Sequence, residues 1–247
     1  MQIAAPQRNT SLTHHSYGSL VKHFPEPPGK IYLLYGEKKV FDLSMRIASS
    51  ALTRGTTVAV VDGCNRFDVH SIVRFAQQRR QNPDTLLNQI FVSRSFTCYQ
   101  IEQAVVNRLP AFLSSQGSST GMIFGLLDTM YDEQASLYEV RNILKRVLAA
   151  LSEMKRSGAS LLVVCQERTV WPEQRNRLFT TMKETMDRVY RLEVDENDQV
   201  RLLLEADRGS MHCPVRRNSA AGLPIPSEKD EISNRKMQND NAKVKMI

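Results

Sequence analysis

Two stretches of this 247-residue chain carry side chains whose types and spacing suit the handling of phosphate and nucleic acid. The first is IYLLYGEKKVFDLS, residues 31–44. An apolar strand pattern runs into Gly36 and a helical pattern follows, the arrangement in which N–H groups at a helix start cradle a phosphate. The phosphate loop G-x-x-x-x-G-K-[ST] needs its second glycine for close backbone approach, its lysine to neutralise phosphate and its hydroxyl to bind magnesium. Gly36 takes the first glycine's place, but Phe41, Asp42 and Leu43 stand where the second glycine, lysine and hydroxyl belong. Lys38 and Lys39 at the loop apex, and Ser44 one residue late, are the groups left to meet an anion or a metal. Asp42 would repel phosphate, so the ordinary loop is broken.

The second stretch is QERTVWPEQRNRLF, residues 166–179. It sets Arg168, Arg175 and Arg177 around Trp171, the single tryptophan. Arginine meets phosphate and the indole stacks on a base, worth about 1–3 kcal/mol per base in single-stranded nucleic acid. The alternative is a solvated loop with Trp171 packed on a sheet edge. The four cysteines, Cys64, Cys98, Cys165 and Cys213, are far apart with no C-x-x-C pair, and the five histidines are scattered, which argues against a zinc site or a disulfide.

The elements that must position these residues follow from apolar periodicity. Residues 31–36, 57–63, 90–94, 121–129 and 159–166 read as strands, the fourth ending in Asp128 and the fifth in Gln166. Between them, 41–55, 67–81, 97–113 and 136–158 read as helices, with Asp68 as a possible N-cap and a short helix before 90–94. Residues 188–194 and 199–206 form a hairpin around DEND. Continuous apolar strands alternating with helices predict an α/β fold, a mostly parallel central sheet flanked by helices with a C-terminal β-hairpin. Ligands of such sheets bind at the carboxyl ends of the strands.

Residues 1–24 read as a flexible segment, 25–209 as the α/β domain and 210–247 as a disordered basic tail, with Arg216 and Arg217 suited to nonspecific phosphate contacts. The net charge of +7 is compatible with an anionic partner; residues 211–247 hold +3 of it. No apolar run reaches the ~20 residues of a membrane span, and the N-terminus has no signal-peptide pattern, so the expectation is a cytoplasmic protein.

The order of these elements and their strand-end residues resembles the ATPase core of RecA/RadA/RadB-type recombinases over roughly residues 17–206. A phosphate loop comes first, and VVDGCNRFDVHSIVRFA then matches a strand ending in Asp before an N-R-F-D turn. LLNQIFVSRSFTCYQIEQAV matches the stretch in which a strand ends in Arg before a Phe and a Gln-bearing helix. MIFGLLDT and SLLVVCQ match strands ending in Asp and Gln. The resemblance implies a RecA-like P-loop fold with ATP and magnesium as cofactors. It assigns Asp128 to the metal, with capping of the following turn as the alternative, and Gln166 to the link between the γ-phosphate and a DNA-binding loop. Cys64 stands where the family places a catalytic glutamate, so weak or absent nucleotide binding and no hydrolysis are expected. The implied function is a non-catalytic, ATPase-fold protein of DNA repair or recombination that binds DNA, single-stranded DNA included, or a recombinase partner or further copies of itself. The alternatives are an active ATPase using Lys38 or Lys39 with Ser44, and an interaction scaffold that binds neither nucleotide nor DNA.

Overall fold

Strand and helix alternate from Ile31 to Asp207 in the order that the apolar runs predict, except that a helix at Asn176–Glu184 stands where the sequence read as loop. The computed structural model describes residues 13–14, 20–21, 23–27, 29–132, 134–196 and 199–208, all within one compact unit, Met1–Met211. The tail expected over 210–247, with Arg216 and Arg217, lies outside the described residues, as does most of segment 1–24.

After a two-residue strand β1 (Thr13–His14), β2 (Ile31–Gly36) leads into α1 (Val40–Thr53) and β3 (Val58–Asp62) into α2 (Val69–Gln78). A short α3 (Pro83–Leu87) precedes β4 (Ile90–Arg94). Next come α4 (Cys98–Gln103) and α5 (Leu109–Ser115), joined by a π-helical turn, Ala104–Arg108. Pro110 explains that turn: it has no N–H to continue the α-helical ladder, and a wider turn accommodates the gap. The remaining elements are β5 (Thr120–Phe124), α6 (Leu137–Arg156), β6 (Ser160–Gln166), α7 (Asn176–Glu184), and a hairpin of β7 (Arg188–Val194) and β8 (Val200–Asp207).

Helix starts obey local chemistry. Asp68 accepts from the His70 N–H at 2.9 Å, Thr97 from Gln100 and Ser136 from Glu139, so α2, α4 and α6 each have a side-chain cap. The start of α1 is different: Lys39 precedes it and offers no capping bond.

The sheet runs β1-β8-β7-β2-β6-β5-β3-β4, with β7 through β4 all parallel and β8 and β1 antiparallel at one edge. Alternate strand residues face opposite layers. Tyr32, Leu34, Val60, Phe124 and Val164 pack with α1, α2 and α3. Leu33, Tyr35, Val61, Ile123 and Val163 pack with α4, α5, α6 and α7. Burial on both faces is why these strands read as unbroken apolar runs, and each fully buried large side chain is worth about 1.5–3 kcal/mol. Strand β4 at the far edge is the exception, with Phe91 and Val92 exposed.

The fourth strand differs from its sequence reading: β5 ends at Phe124, and Asp128 lies beyond it, opening a single 3-10 turn, Asp128–Met130. Gly125 turns the chain at φ +62°.

Candidate functional site

Parallel order brings the four strand ends of interest side by side. Gly36 on β2 pairs in register with Gln166 on β6, and Phe124 on β5 sits between Val164 on β6 and Asp62 on β3. The turns that leave these ends carry the residues singled out in the sequence.

At the β2–α1 turn, Gly36 has φ +140°, and a Cβ there would lie 2.1 Å from the Leu192 carbonyl oxygen. The glycine is therefore demanded by the neighbouring strand β7, whether or not phosphate is bound. Only Glu37, Lys38 and Lys39 separate Gly36 from the helix. The Val40 N–H donates to Glu37 O at 2.8 Å and the Phe41 N–H to Lys38 O at 3.2 Å, so the turn's own carbonyls take up amides that would have to meet phosphate. Phe41 is only 6% exposed, stacks on Phe124 at 6.4 Å, and carries the Arg66 guanidinium 5.7 Å over its ring. Leu43 is buried, and the Ser44 hydroxyl donates to Phe41 O at 2.6 Å in the core. Ser44 has no room for a metal. Lys38 and Asp42 are exposed and Lys39 half-buried; with Glu37, Arg66 and Asp68 they line a cleft of about 480 Å³.

Asp62 ends β3 buried, and its carboxylate accepts from the N–H groups of Cys64, Arg66 and Phe67 at 3.1–3.3 Å. This acidic strand end organises its own turn. Burial first, then the Asp128 and Asp62 carboxylates, push the Cys64 thiol up to about 12. A neutral thiol cannot orient or deprotonate water at neutral pH.

Among the described residues, Asp128 makes no capping hydrogen bond to the turn that follows it. Its Oδ1 lies 2.5 Å from Nη2 of Arg168, the first arginine after β6. Burial raises the Asp128 carboxyl above its ordinary value even though Arg168 and Arg66 act to lower it. Gln166 is half-buried and, with Asp128, Tyr131, Arg168 and Asn176, lines a second pocket of about 250 Å³. A magnesium nucleotide does not fit this set of groups. The Val40, Phe41 and Leu43 amides, the Ser44 hydroxyl and Asp128 already have protein partners, and Phe41 fills the cradle.

The loop after β6 separates the arginines that the sequence grouped. Arg168 is partly exposed in its ion pair, and Arg177 is exposed at the start of α7. Arg175 is 4% exposed and donates to the Met130 and Ala135 carbonyls, each at 2.6 Å. As a DNA-binding candidate it is corrected: its guanidinium ties this loop to the β5–α6 loop and is withdrawn from solvent. Trp171 is 76% exposed, so it does not pack on the sheet edge as the alternative reading had it.

Several residues were not among the sequence's site candidates. Arg66 faces both Phe41 and Asp128. Phe96, Tyr99 and Tyr138 are exposed; Phe96 and Tyr99, like Trp171, follow within five residues of a strand's end, and Tyr138 is in the first turn of α6. Tyr138 falls off the buried stripe of α6 (Val140, Ile143, Leu144, Val147), and an aromatic off the stripe is the signal that would have found it. Among the described residues, no helix is long and apolar enough to cross a membrane. No protein-family model matches the chain, and no curated protein matches it.

Proposed function

We propose that this chain is a RecA-like protein of DNA repair or recombination, one that hydrolyses no ATP and binds single-stranded DNA through the loop between β6 and α7. The observation that carries the reading is the exposed Trp171, which shares with the exposed Arg168 and Arg177 the segment that leaves the end of β6, one of the strand ends that the resemblance assigns to a nucleotide site. The adjacency of β2, β6, β5 and β3 supports it, because a site built from those four strand ends requires that order. Phe96, Tyr99 and Tyr138 are further exposed rings. Aromatic stacking with arginine at phosphate gives weak, sequence-tolerant and salt-sensitive binding.

The test is anisotropy of a labelled oligothymidylate titrated with the full chain at several salt concentrations, alongside an ATPase assay. Binding that weakens with salt and is lost on Trp171→Ala with Arg177→Ala is expected, without turnover of ATP. Salt-insensitive binding or none removes DNA from the reading, and turnover lost on Asp128→Ala would restore the active ATPase.

A specific feature favours a second reading, a recombinase-type partner. Among the described residues, strand β4 is an open edge with exposed Phe91 and Val92, beside an apolar groove of about 180 Å³ lined in part by Phe112 and Arg108. Edges without lysine, proline or a bulge invite strand addition by an extended segment. Phe91→Lys should abolish co-elution with such a partner and leave oligothymidylate binding intact; retained co-elution would exclude this edge.

A further inference from the structure

In the site that the resemblance assigns to a magnesium nucleotide, the cation on Asp128 is the chain's own Arg168. The Asp128 side chain is 13% exposed and that of Arg168 43%, so the carboxylate is the fixed member of the pair and the guanidinium the one that can leave. Arg66 adds positive charge from the β3–α2 turn, and Asp62 opposes it. Behind the carboxylate, a Cβ on Gly125 would lie 2.6 Å from Asp128 Oδ2 and 2.4 Å from the Cys64 Cβ, so that side is closed. A divalent cation needs oxygen ligands and space around a carboxylate, and the open oxygen is the one that Arg168 holds.

The loop beyond Arg168 is tied down at two further places. The Asn176 side chain donates to Val170 O at 3.0 Å and accepts from the Val170 N–H at 2.9 Å, and the buried Arg175 holds Met130 O and Ala135 O. Those ties are hydrogen bonds between side chains and backbone groups, the Arg175 pair buried and the Asn176 pair half-buried. The Asp128–Arg168 contact is a solvent-reachable ion pair, the kind that a competing anion weakens.

We propose that the Asp128–Arg168 pair is a latch on the Trp171 loop, with the guanidinium standing in the metal's place on Asp128, and that phosphates of single-stranded nucleic acid open it by competing for Arg168. The opening ligand rests on the function proposed above; the latch itself does not.

Two readouts on the full chain test it. Trp171 is the sole indole, so intrinsic emission reports this loop, and hydrogen exchange reports its backbone. Asp128→Asn keeps the shape and removes the charge. Amides 167–171 should then exchange about tenfold faster while those of β2 and β5 keep their protection. Arg168→Ala should do the same, and Arg168→Lys should restore part of the protection. Unchanged exchange in Asp128→Asn overturns the latch. Millimolar magnesium chloride should move the wild-type emission no more than sodium chloride of equal ionic strength; an excess shift that depends on Asp128 overturns the guanidinium's standing in the metal's place. Oligothymidylate should bind Asp128→Asn several-fold more tightly than wild type, because the competing carboxylate charge is gone. Equal or weaker binding overturns the coupling. If oligothymidylate binds neither protein, the nucleic-acid function and the phosphate-driven opening both fail, and the exchange comparison still decides the latch.

Discussion

The β2–α1 turn and the β6–α7 loop both leave carboxyl ends of neighbouring parallel strands, and both carry residues suited to phosphate. They use them in opposite ways. In the first, Phe41, Leu43 and Ser44 are buried and the Val40, Phe41 and Leu43 amides are bonded to the turn's own carbonyls. In the second, Trp171 and Arg177 project into solvent while Arg175 and Asn176 hold the loop from within. Residues of one chemical type thus serve the core at one strand end and the surface at the next, and burial, not residue identity, decides which.

The strongest challenge to that contrast is to rebuild the phosphate loop. Phe41→Gly combined with Leu43→Ser should remove most of the stability of the domain. Losing a buried Phe costs about 3–5 kcal/mol, and Leu→Ser adds a cavity and a buried hydroxyl. Against a typical total of 5–15 kcal/mol, denaturant melts should show a chain largely unfolded or close to it. A stably folded double variant would mean that this turn is not part of the core.

Within the second loop, two arginines of equal promise in the sequence should separate. Arg175→Met leaves two buried carbonyls unmatched and should cost about 2–3 kcal/mol in a denaturant melt. Arg177→Ala should stay within about 0.5 kcal/mol of wild type and act on oligothymidylate binding, lowering its salt dependence. Equal effects on stability would erase the difference between anchoring and presenting residues. Trp171→Ala should also leave stability alone, and weaken oligothymidylate binding by about 1–3 kcal/mol for a lost stacking contact.

These contrasts also explain what could be read from the sequence. Periodicity located β2 to β8 and α1 to α6 because apolar spacing is a local property, but it missed α7, whose residues were read as part of a loop, and the two-residue β1. Asp68 could be read as a cap because its partner is two residues away. The sheet order, and with it the meeting of Asp128 with Arg168, is nonlocal. Nothing in QERTV says that Arg168 will turn back to the loop after β5, or that Arg175 will bury its guanidinium and Arg177 will not. Asp128 was misplaced onto its strand because GLLD continues the apolar run, whereas Gly125 at φ +62° ends it. Gly36 could be read as a required glycine, but its reason was misread: the constraint is the Leu192 carbonyl on a strand far away in sequence.

The smallest predicted effect concerns pH, and it separates local from global stability at Asp128. Burial, only partly offset by Arg168 and Arg66, holds this carboxyl above its unfolded value. The folded state therefore binds the proton more tightly than the unfolded chain does. The stabilisation from that proton is full below the unfolded value and is lost as pH rises through the raised folded one. Asp68 behaves oppositely: its hydrogen bond from Ser71 leads the causes that lower it, so its contribution is present at neutral pH and is lost in acid. Asp128→Asn should consequently be as stable as wild type or slightly more so at neutral pH, and the difference should shrink as acid protonates the wild-type carboxyl. The same protonation discharges the pair with Arg168, so loop exchange in the wild type should rise toward that of Asp128→Asn over the interval in which the global difference closes. Arg168→Ala should move that interval to higher pH by removing a cation that lowers Asp128. Melts and exchange recorded across the acid range would show it, and an interval that ignores Arg168 would mean that the two groups do not communicate.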